Sequence, residues 1–345
     1  MAIIEKNIGT NGRHYATCTL WEAALGGAAG GAGNAAIGWA YDDSDFDEIL
    51  QITDGTPDSI LLSVAEGERH DGTAGSGVRQ LDSTRCTWQI TVDATIRWFE
   101  IDMNGQDFES TKGRVFIDPV SPNVGTLDKC IIHDGVDTAT LKVFRIQDPG
   151  RLLNTIIYDH LCTDTGADNC WGVQISSTLA DVAELINCTI DRIVSNNGSG
   201  NCYGISVDDD NANKNIKNTS VTGTGGTTSG GKADYQYAGI VNSTIDYNLS
   251  SDGSLPDALH NVQNKTAANL YVSNANGTED YHLKAGADCI GAGTDLGQTP
   301  SGIEFDIDNF DRHTEAVVWD IGADQYVAVV SGNPWYYYAQ QGAAA

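Results

Sequence analysis

The sequence predicts an all-β parallel β-helix, a solenoid of stacked coils. Two observations carry this: a short phrase that returns at coil-sized intervals, and a second, aromatic-led phrase that returns beside it. The first phrase is an Asn, then a small Thr, Cys or Ser, and a β-branched residue two positions after that. It occurs as Leu153-Asn154-Thr155-Ile156-Ile157, Ile186-Asn187-Cys188-Thr189-Ile190, Lys217-Asn218-Thr219-Ser220-Val221 and Val241-Asn242-Ser243-Thr244-Ile245. Leu127-Asp128-Lys129-Cys130-Ile131-Ile132 fits with Lys in the Asn slot, and slots 129, 154, 187, 218 and 242 are 25, 33, 31 and 24 residues apart. Repeats of that size mark solenoids, and Ile, Val and Thr suit half-buried pleated strands. Each coil should stack about 4.8 Å above the last. Asn at a coil corner adopts turn conformations and bonds neighbouring backbone, so a repeated Asn predicts a side-chain ladder of Asn154, Asn187, Asn218 and Asn242.

The second phrase is Trp171-Gly172-Val173-Gln174-Ile175, matched 32 residues later by Tyr203-Gly204-Ile205-Ser206-Val207, with Tyr237-Ala238-Gly239-Ile240 as a looser third copy. It predicts a second strand family whose aromatic positions stack along one line in the core. A glycan-stacking face formed by Trp98, Trp171, Tyr203 and Tyr237 is the alternative.

Residues 1–84 read as the N-terminal cap and first coils. Ala16 to Leu25 is the helix candidate, with Thr19 as its cap and Glu22 three residues on as a capping-box partner. Such a helix would cover the first open rung. The Gly-Ala stretch 26–36 reads as a loop, and Ile49–Ile52 and Ile60–Val64 as early strands. Residues 66–84 are polar and Gly-rich, a loop between rungs. Residues 85–275 hold the coils, beginning with Trp88–Val92 and the alternating Ile96–Ile101. Residues 223–234 read as a loop excursion, 276–327 as a closing segment, and 328–345 as an aromatic and Ala-rich tail.

Thirty-nine Gly and seven Pro suit short strands with many turns. The net charge is 19 − 47 = −28. So acidic a chain argues against nucleic acid, whose phosphates require clustered Lys and Arg, and against attraction of polyanions. No stretch approaches a membrane span. Met1 to Lys6 carries no apolar signal region, so the expected site of folding is the producer's cytoplasm. The eight Cys show no metal-ligand spacing. Cys130 and Cys188 occupy equivalent slots two rungs apart, roughly 9–10 Å, too far to bridge. Cys162 and Cys170 flank a loop and could pair.

Asp280 to Gly297, then Asp306-Ile307-Asp308, Arg312 and Asp320-Ile321-Gly322-Ala323-Asp324-Gln325-Tyr326, resemble the C-terminal motif of right-handed parallel β-helix proteins of the pectate-lyase-like superfamily. Asp324-Gln325-Tyr326 departs slightly from the usual acidic-aromatic ending. Ile8 to Arg13, Glu66 to Gly72 and Phe99 to Asp102 resemble the front half of β-helix proteins found in tailed-phage and environmental viral genomes. The resemblance implies a right-handed parallel β-helix solenoid with a short N-terminal capping helix and a C-terminal closing segment. It is specific for fold and weak for function.

For chemistry, Asp208-Asp209-Asp210 follows a strand, with Asp164 and Asp168 one coil earlier. Neighbouring carboxylates can split into an acid and a base, so Asp208, Asp209 and Asp164 are the catalytic candidates. A solvated turn is the favoured reading, because the His and Arg-x-Lys signatures of polygalacturonase-like β-helices are missing. A lyase needs a base beside a carboxylate, and Lys129, Lys142, Arg145, Arg151, Lys214 and Lys217 sit in no motif. Asp42, Asp43, Asp45 and Asp47, and Asp306, Asp308 and Asp311, are candidate Ca²⁺ ligands against a preferred reading as surface charge. His133 and His160 follow equivalent strands and read as loop or core residues. No cofactor is expected beyond that Ca²⁺ option.

The functional expectation is a non-catalytic virion structural protein of a tailed phage, exposed on the particle surface as a capsid decoration, head fibre or tail appendage. Its expected partners are other virion proteins such as capsid or tail proteins, host surface glycan, and a second copy of the chain. Trp335, Tyr336, Tyr337 and Tyr338 are the candidate attachment residues, since exposed aromatic patches mark interfaces. The alternatives are an extracellular polysaccharide-binding or polysaccharide-degrading β-helix enzyme, a hydrolase or lyase, and a bacterial adhesin.

Overall fold

The computed structural model describes residues 1–81, 88–105, 115–138, 141–147, 149–163, 169–176, 183–196, 198–208, 214–237, 244–256, 260–316 and 318–328. The chain winds as a parallel β-helix of about seven turns with three walls. Sheet 1 has nine strands, from Ala2–Ile8 to Thr244–Asp246. Sheet 2 has seven, from Arg79–Leu81 to Leu249–Ser250, and sheet 3 has seven, from Gln51–Ile52 to Lys232–Tyr237. Among the described residues no helix is long and apolar enough to cross a membrane.

The register explains the core. In sheet 1, Leu62, Ile96, Leu127, Leu152, Leu185, Ile216 and Ile245 stand in one column. In sheet 2 the inward column is Gln80, Ile101, Ile132, Ile157, Ile190, Val221 and Ser250. Sheet 3 contributes Ile52, Ile90, Ile117, Ile146, Ile175, Val207 and Tyr237. Like residues stack because each coil repeats the same wall one rung higher, so every apolar side chain meets its counterpart above and below.

Below Leu62 the column in sheet 1 passes through its partner Gly38 to Lys6. At Gly38 the helix supplies the missing side chain: Trp21 is fully buried and lies 2.8 Å from where a Gly38 Cβ would stand. The helix is Cys18–Glu22, and its cap is Thr17, not Thr19. Thr17 accepts from the Leu20 N–H, and Glu48 accepts from the Cys18 and Thr19 N–H groups. Glu22 instead accepts from the Thr53 and Asp54 N–H groups.

Three further expectations change. Ile96–Ile101 is two strands, Ala94–Arg97 and Glu100–Asp102, separated at Trp98 by a left-handed corner (φ 70°). Alternation alone does not distinguish a strand from a strand that turns a corner. The polar stretch 66–84 contains the strand Arg79–Leu81, and the excursion from residue 223 ends in the strand Lys232–Tyr237. Tyr203 therefore pairs with Ala233, and Tyr237 pairs with Val207 in the core wall. The line of outward aromatics stops at Tyr203.

From about residue 260 the chain leaves the coils and lies as a strap along the outer face of sheet 2. Outward-facing Ile131, Ile156 and Leu249 share a second core with Tyr271, Tyr281, Leu283, Ile307 and Ile321 of the strap. The strap reaches the early coils, where the Gly72 backbone packs against His282 and Asp308. Its own turns are held by the motif residues. Arg312 is buried and donates to the carbonyls of Asp320, Gly322 and Ala323. Asp306 accepts from the N–H groups of Asp308, Phe310 and Gln325, and Asp324 from that of Leu283.

The inward column of sheet 2 starts with a polar side chain, Gln80, whose buried amide oxygen and nitrogen both lack a hydrogen-bond partner. Burying an unsatisfied amide is costly. Gln80→Leu should therefore raise the stability by about 1–2 kcal/mol, read as a higher urea midpoint; a lower midpoint would contradict this placement.

Candidate functional site

Three features of the walls can carry function: the corner between sheets 1 and 2, a cleft over sheet 2, and the outer face of sheet 3.

At the corner, Trp98, Lys129, Asn154, Asn187, Asn218 and Tyr247 occupy equivalent positions with φ between 47° and 70°. Asn tolerates the left-handed region better than other residues with a side chain. Asn154, Asn187 and Asn218 are fully buried and linked in series. The Asn218 amide donates to Asn187 Oδ1 (3.1 Å), Asn187 to Asn154 Oδ1 (3.0 Å), and Asn154 to the Asp128 carboxylate (2.8 Å). The second N–H of each amide points outward to the strap, at Thr294 O (2.9 Å), Ile303 O (2.9 Å) and Gly302 O (3.1 Å) respectively. Thr294 N–H returns a bond to Asn218 Oδ1. Asn242 lies outside the described residues, and the slot after Asn218 belongs to Tyr247.

The next position of each corner repeats Cys130, Thr155, Cys188, Thr219 and Asn248. The hydroxyls of Thr155 and Thr219 and the thiols of Cys130 and Cys188 donate to the carbonyl two residues back, and Asn248 does the same through its amide. Lys129, in the ladder slot before Asn154, donates to Asn309 Oδ1 of the strap (2.9 Å). Burial lowers its pKa to about 8 despite nearby Asp128.

The cleft has a volume of about 410 Å³ and crosses four coils beside the strap. Asp134, Asp159 and Arg192 line it from equivalent left-handed positions within sheet 2 (φ 54–56°), joined by Asp102, Asn104 and Asn276. Arg192 holds Asp159, Glu279 (2.7 Å) and the Asn274 carbonyl, so it ties the coils to the strap. His133 lies between Glu100 (3.0 Å) and Asp134 (3.0 Å) and stacks on Tyr158 at 5.1 Å. Burial lowers its pKa, but the hydrogen bonds to Asp134 and Glu100 outweigh it and raise the value to about 9. The same bond holds Asp134 below the usual carboxylate range. His160 is buried, with Nδ1 accepting from the Gly135 N–H and Nε2 facing Ile132 O.

Two groups place possible metal donors within 4.8 Å of one another: Glu100, Asp102 and His133, and His282, Asp308 and Asp324. His282 pairs with Asp280 and Asp308. Burial lowers its pKa, but those two bonds carry it to about 12. Both nitrogens of each ring are already paired with carboxylates, Glu100 and Asp134 for His133 and Asp280 and Asp308 for His282. Of the Ca²⁺ candidates, Asp306 is a buried turn acceptor rather than surface charge, Asp308 pairs with His282, and Asp311 accepts from the His313 and Thr314 N–H groups. Asp43 pairs with Arg13 and Asp45 with Arg79.

On the outer face of sheet 3, Lys142, Trp171 and Tyr203 are neighbours on successive coils, half-buried rather than in the core. The Lys142 ammonium lies 5.4 Å from the Trp171 ring centroid. Arg145, Gln174, Ser206 and Gln236 form a parallel polar row. Exposed Asp208 accepts from Gln174 and Ser206 at the edge of this wall. Asp164, Asp168, Asp209 and Asp210 lie outside the described residues, as do Trp335, Tyr336, Tyr337 and Tyr338. The cleft was missed by motif reading. Its only trace is a polar residue in register, Asp134, Asp159 and Arg192, three places after each β-branched start of a strand.

The chain matches no known family model and no curated protein.

Two predictions follow the geometry. Asn187→Ala should cost about 2–4 kcal/mol, because it strands Asn154 Oδ1 and Ile303 O and puts Ala in a left-handed corner. Asn187→Gly should recover about 1 kcal/mol of that, since only the backbone strain is relieved; equal losses in urea melts would contradict the assignment. His133 has its pKa raised from 6.5 to about 9, so its contribution is fully present below about pH 6.5 and is lost as pH rises through 9. Between pH 6.5 and 9.5 wild type should lose up to about 3 kcal/mol more than His133→Gln, measured by denaturant titration at each pH.

Proposed function

We propose that this chain is a non-catalytic structural rod exposed on a tailed-phage particle, which contacts host glycans through the outer face of sheet 3. The observation that carries the reading is the pairing of Trp171 with Tyr203 on adjacent coils, half-exposed and flanked by Lys142, Arg145, Gln174 and Gln236. Flat rings bordered by amides and cations suit the apolar faces and hydroxyls of sugar residues. Coil spacing of about 4.8 Å is close to the length of one sugar ring, so successive coils suit successive residues of a glycan chain.

The rod character rests on the strap, which fastens the outer face of sheet 2 over several coils. The acidic surface favours solubility and a single rod over clumping. The tail residues Trp335, Tyr336, Tyr337 and Tyr338 are proposed to attach the rod to a capsid or tail protein. In the cleft, Asp134 is already hydrogen-bonded to His133, which holds its carboxyl below the usual carboxylate range. On sheet 3, Asp208 is already engaged by Gln174 and Ser206.

A glycan array combined with a reducing-end assay tests this reading. Wild type should bind neutral glycans without turnover, and Trp171→Ala should weaken binding roughly tenfold, the loss expected for one aromatic stacking contact. Turnover abolished by Asp208→Asn would replace the reading with a polysaccharide-degrading enzyme. Removal of 328–345 should abolish incorporation into particles while leaving the circular dichroism of the coils unchanged; normal incorporation would refute the tail assignment.

A further inference from the structure

The dipeptide Asn-Gly occurs at 11–12, 104–105, 197–198 and 276–277. At such a pair the glycine nitrogen reaches the preceding side-chain amide most readily, because glycine has no Cβ to shield it. The fold separates these pairs by what each glycine N–H meets. The Gly12 N–H donates to the Thr10 carbonyl (3.1 Å), and the Gly105 N–H to the Asp134 carbonyl (2.7 Å). The Gly277 N–H instead donates to a carboxylate, Glu279 Oε1, at 2.9 Å. Asn197 lies outside the described residues.

Asn276 and Gly277 form the tip of the strap hairpin between the strands Tyr271–Ser273 and Asp280–Leu283. The Thr278 N–H closes this turn on the Ala275 carbonyl (3.0 Å). Gly277 is left-handed (φ 80°), and a Cβ there would meet nothing within 4 Å, so the approach to its nitrogen is open. Asn276 is exposed at the rim of the cleft, so packing does not hold its amide away from that nitrogen. Asn104, by contrast, sits in a left-handed position (φ 47°) with its own N–H on Asp102 Oδ1 (2.7 Å). Glu279 is held in place by Arg192, whose Nη2 donates to the same Oε1 (2.7 Å). A carboxylate within hydrogen-bond reach of the proton to be removed has the geometry of a general base. Burial raises the pKa of Glu279, which strengthens it as a proton acceptor.

We propose that Asn276 is a site of self-modification, where the Gly277 nitrogen closes on the Asn276 side-chain carbonyl carbon and Glu279 takes the proton. The N–Cγ bond forms as Glu279 accepts the Gly277 amide proton. The Cγ–Nδ2 bond then breaks, and the nitrogen leaves as ammonia with that proton returned to it. Water opens the resulting succinimide at either carbonyl and gives aspartate or isoaspartate at position 276. An amide and water become an acid and ammonia, with no change of oxidation state. The product places a new negative charge at the rim of the cleft near Glu279. Isoaspartate also adds a CH₂ to the backbone of the turn, beside the Asn274 carbonyl that Arg192 holds.

The full chain is aged at mildly alkaline pH, folded and in urea, and its peptides are mapped by mass spectrometry with isoaspartate detection. In urea Asn11, Asn104 and Asn276 should convert at similar rates, since only local sequence then acts. In the folded chain Asn276 should convert faster than Asn11 and Asn104, and faster than it does in urea. Glu279→Gln should slow the folded reaction at least roughly tenfold, within what a positioned base supplies, while circular dichroism reports the coils intact. A folded wild type in which Asn276 converts no faster than in urea, or later than Asn11 or Asn104, would overturn the proposal, as would an unchanged rate in Glu279→Gln. The wild-type comparison decides the matter whether or not the variant folds.

Discussion

The structure depends on one side-chain amide repeated in one backbone conformation. At each corner between sheets 1 and 2 the chain must reverse within a single left-handed residue, which carbonyl and Cβ sterics disfavour for most side chains. Asn accepts that conformation and supplies two N–H donors and an oxygen. In Asn154, Asn187 and Asn218 one donor continues the column and the other leaves it for the strap. No amide in this series is buried without partners, so a ladder in the interior is stabilising rather than costly. The series ends on Asp128, where the acceptor is a carboxylate and the bond is charge-assisted.

That division of donors links two parts of the protein that sequence separates widely. Asn154 and Gly302 are 148 positions apart, and Asn187 and Ile303 are 116. The strap meets all three amides where the coils hold them in line. It then covers outward Ile131, Ile156 and Tyr158, which would otherwise be an exposed apolar face. Arg192 and Tyr281 extend the same attachment to the next part of the wall, through Glu279 and Asp191. What remains open on sheet 2 is the cleft beside the strap. Sheet 3 carries the half-exposed row that ends in Trp171 and Tyr203.

The coil architecture was legible because its unit is local. A β-branched run, an Asn and a small residue suffice to place Asn154, Asn187 and Asn218, and register then follows from stacking. The corner was not legible where other residues took the slot. Trp98 and Tyr247 adopt the same conformation with φ of 70° and 58° but carry no Asn signature. Asn242 resembled the phrase more closely than Tyr247 did. Tyr237 looked like a third copy of Trp171, yet the pairing of Tyr203 with Ala233 shifts it to the inward column, half-buried against the core. The cleft and the strap contacts come from residues brought together only by the finished fold, so periodicity could not show them. The closing motif was visible as a resemblance, but its lateral path was not.

The amides of the corner column fasten the strap, and hydrogen exchange in an Asn218→Gly variant reads that attachment. Glycine keeps the left-handed corner and removes only the amide. Exchange should quicken across residues 290–324, while the strands of sheets 1 and 3 keep wild-type protection. Unchanged strap protection, or a loss spread evenly over all three sheets, would contradict it.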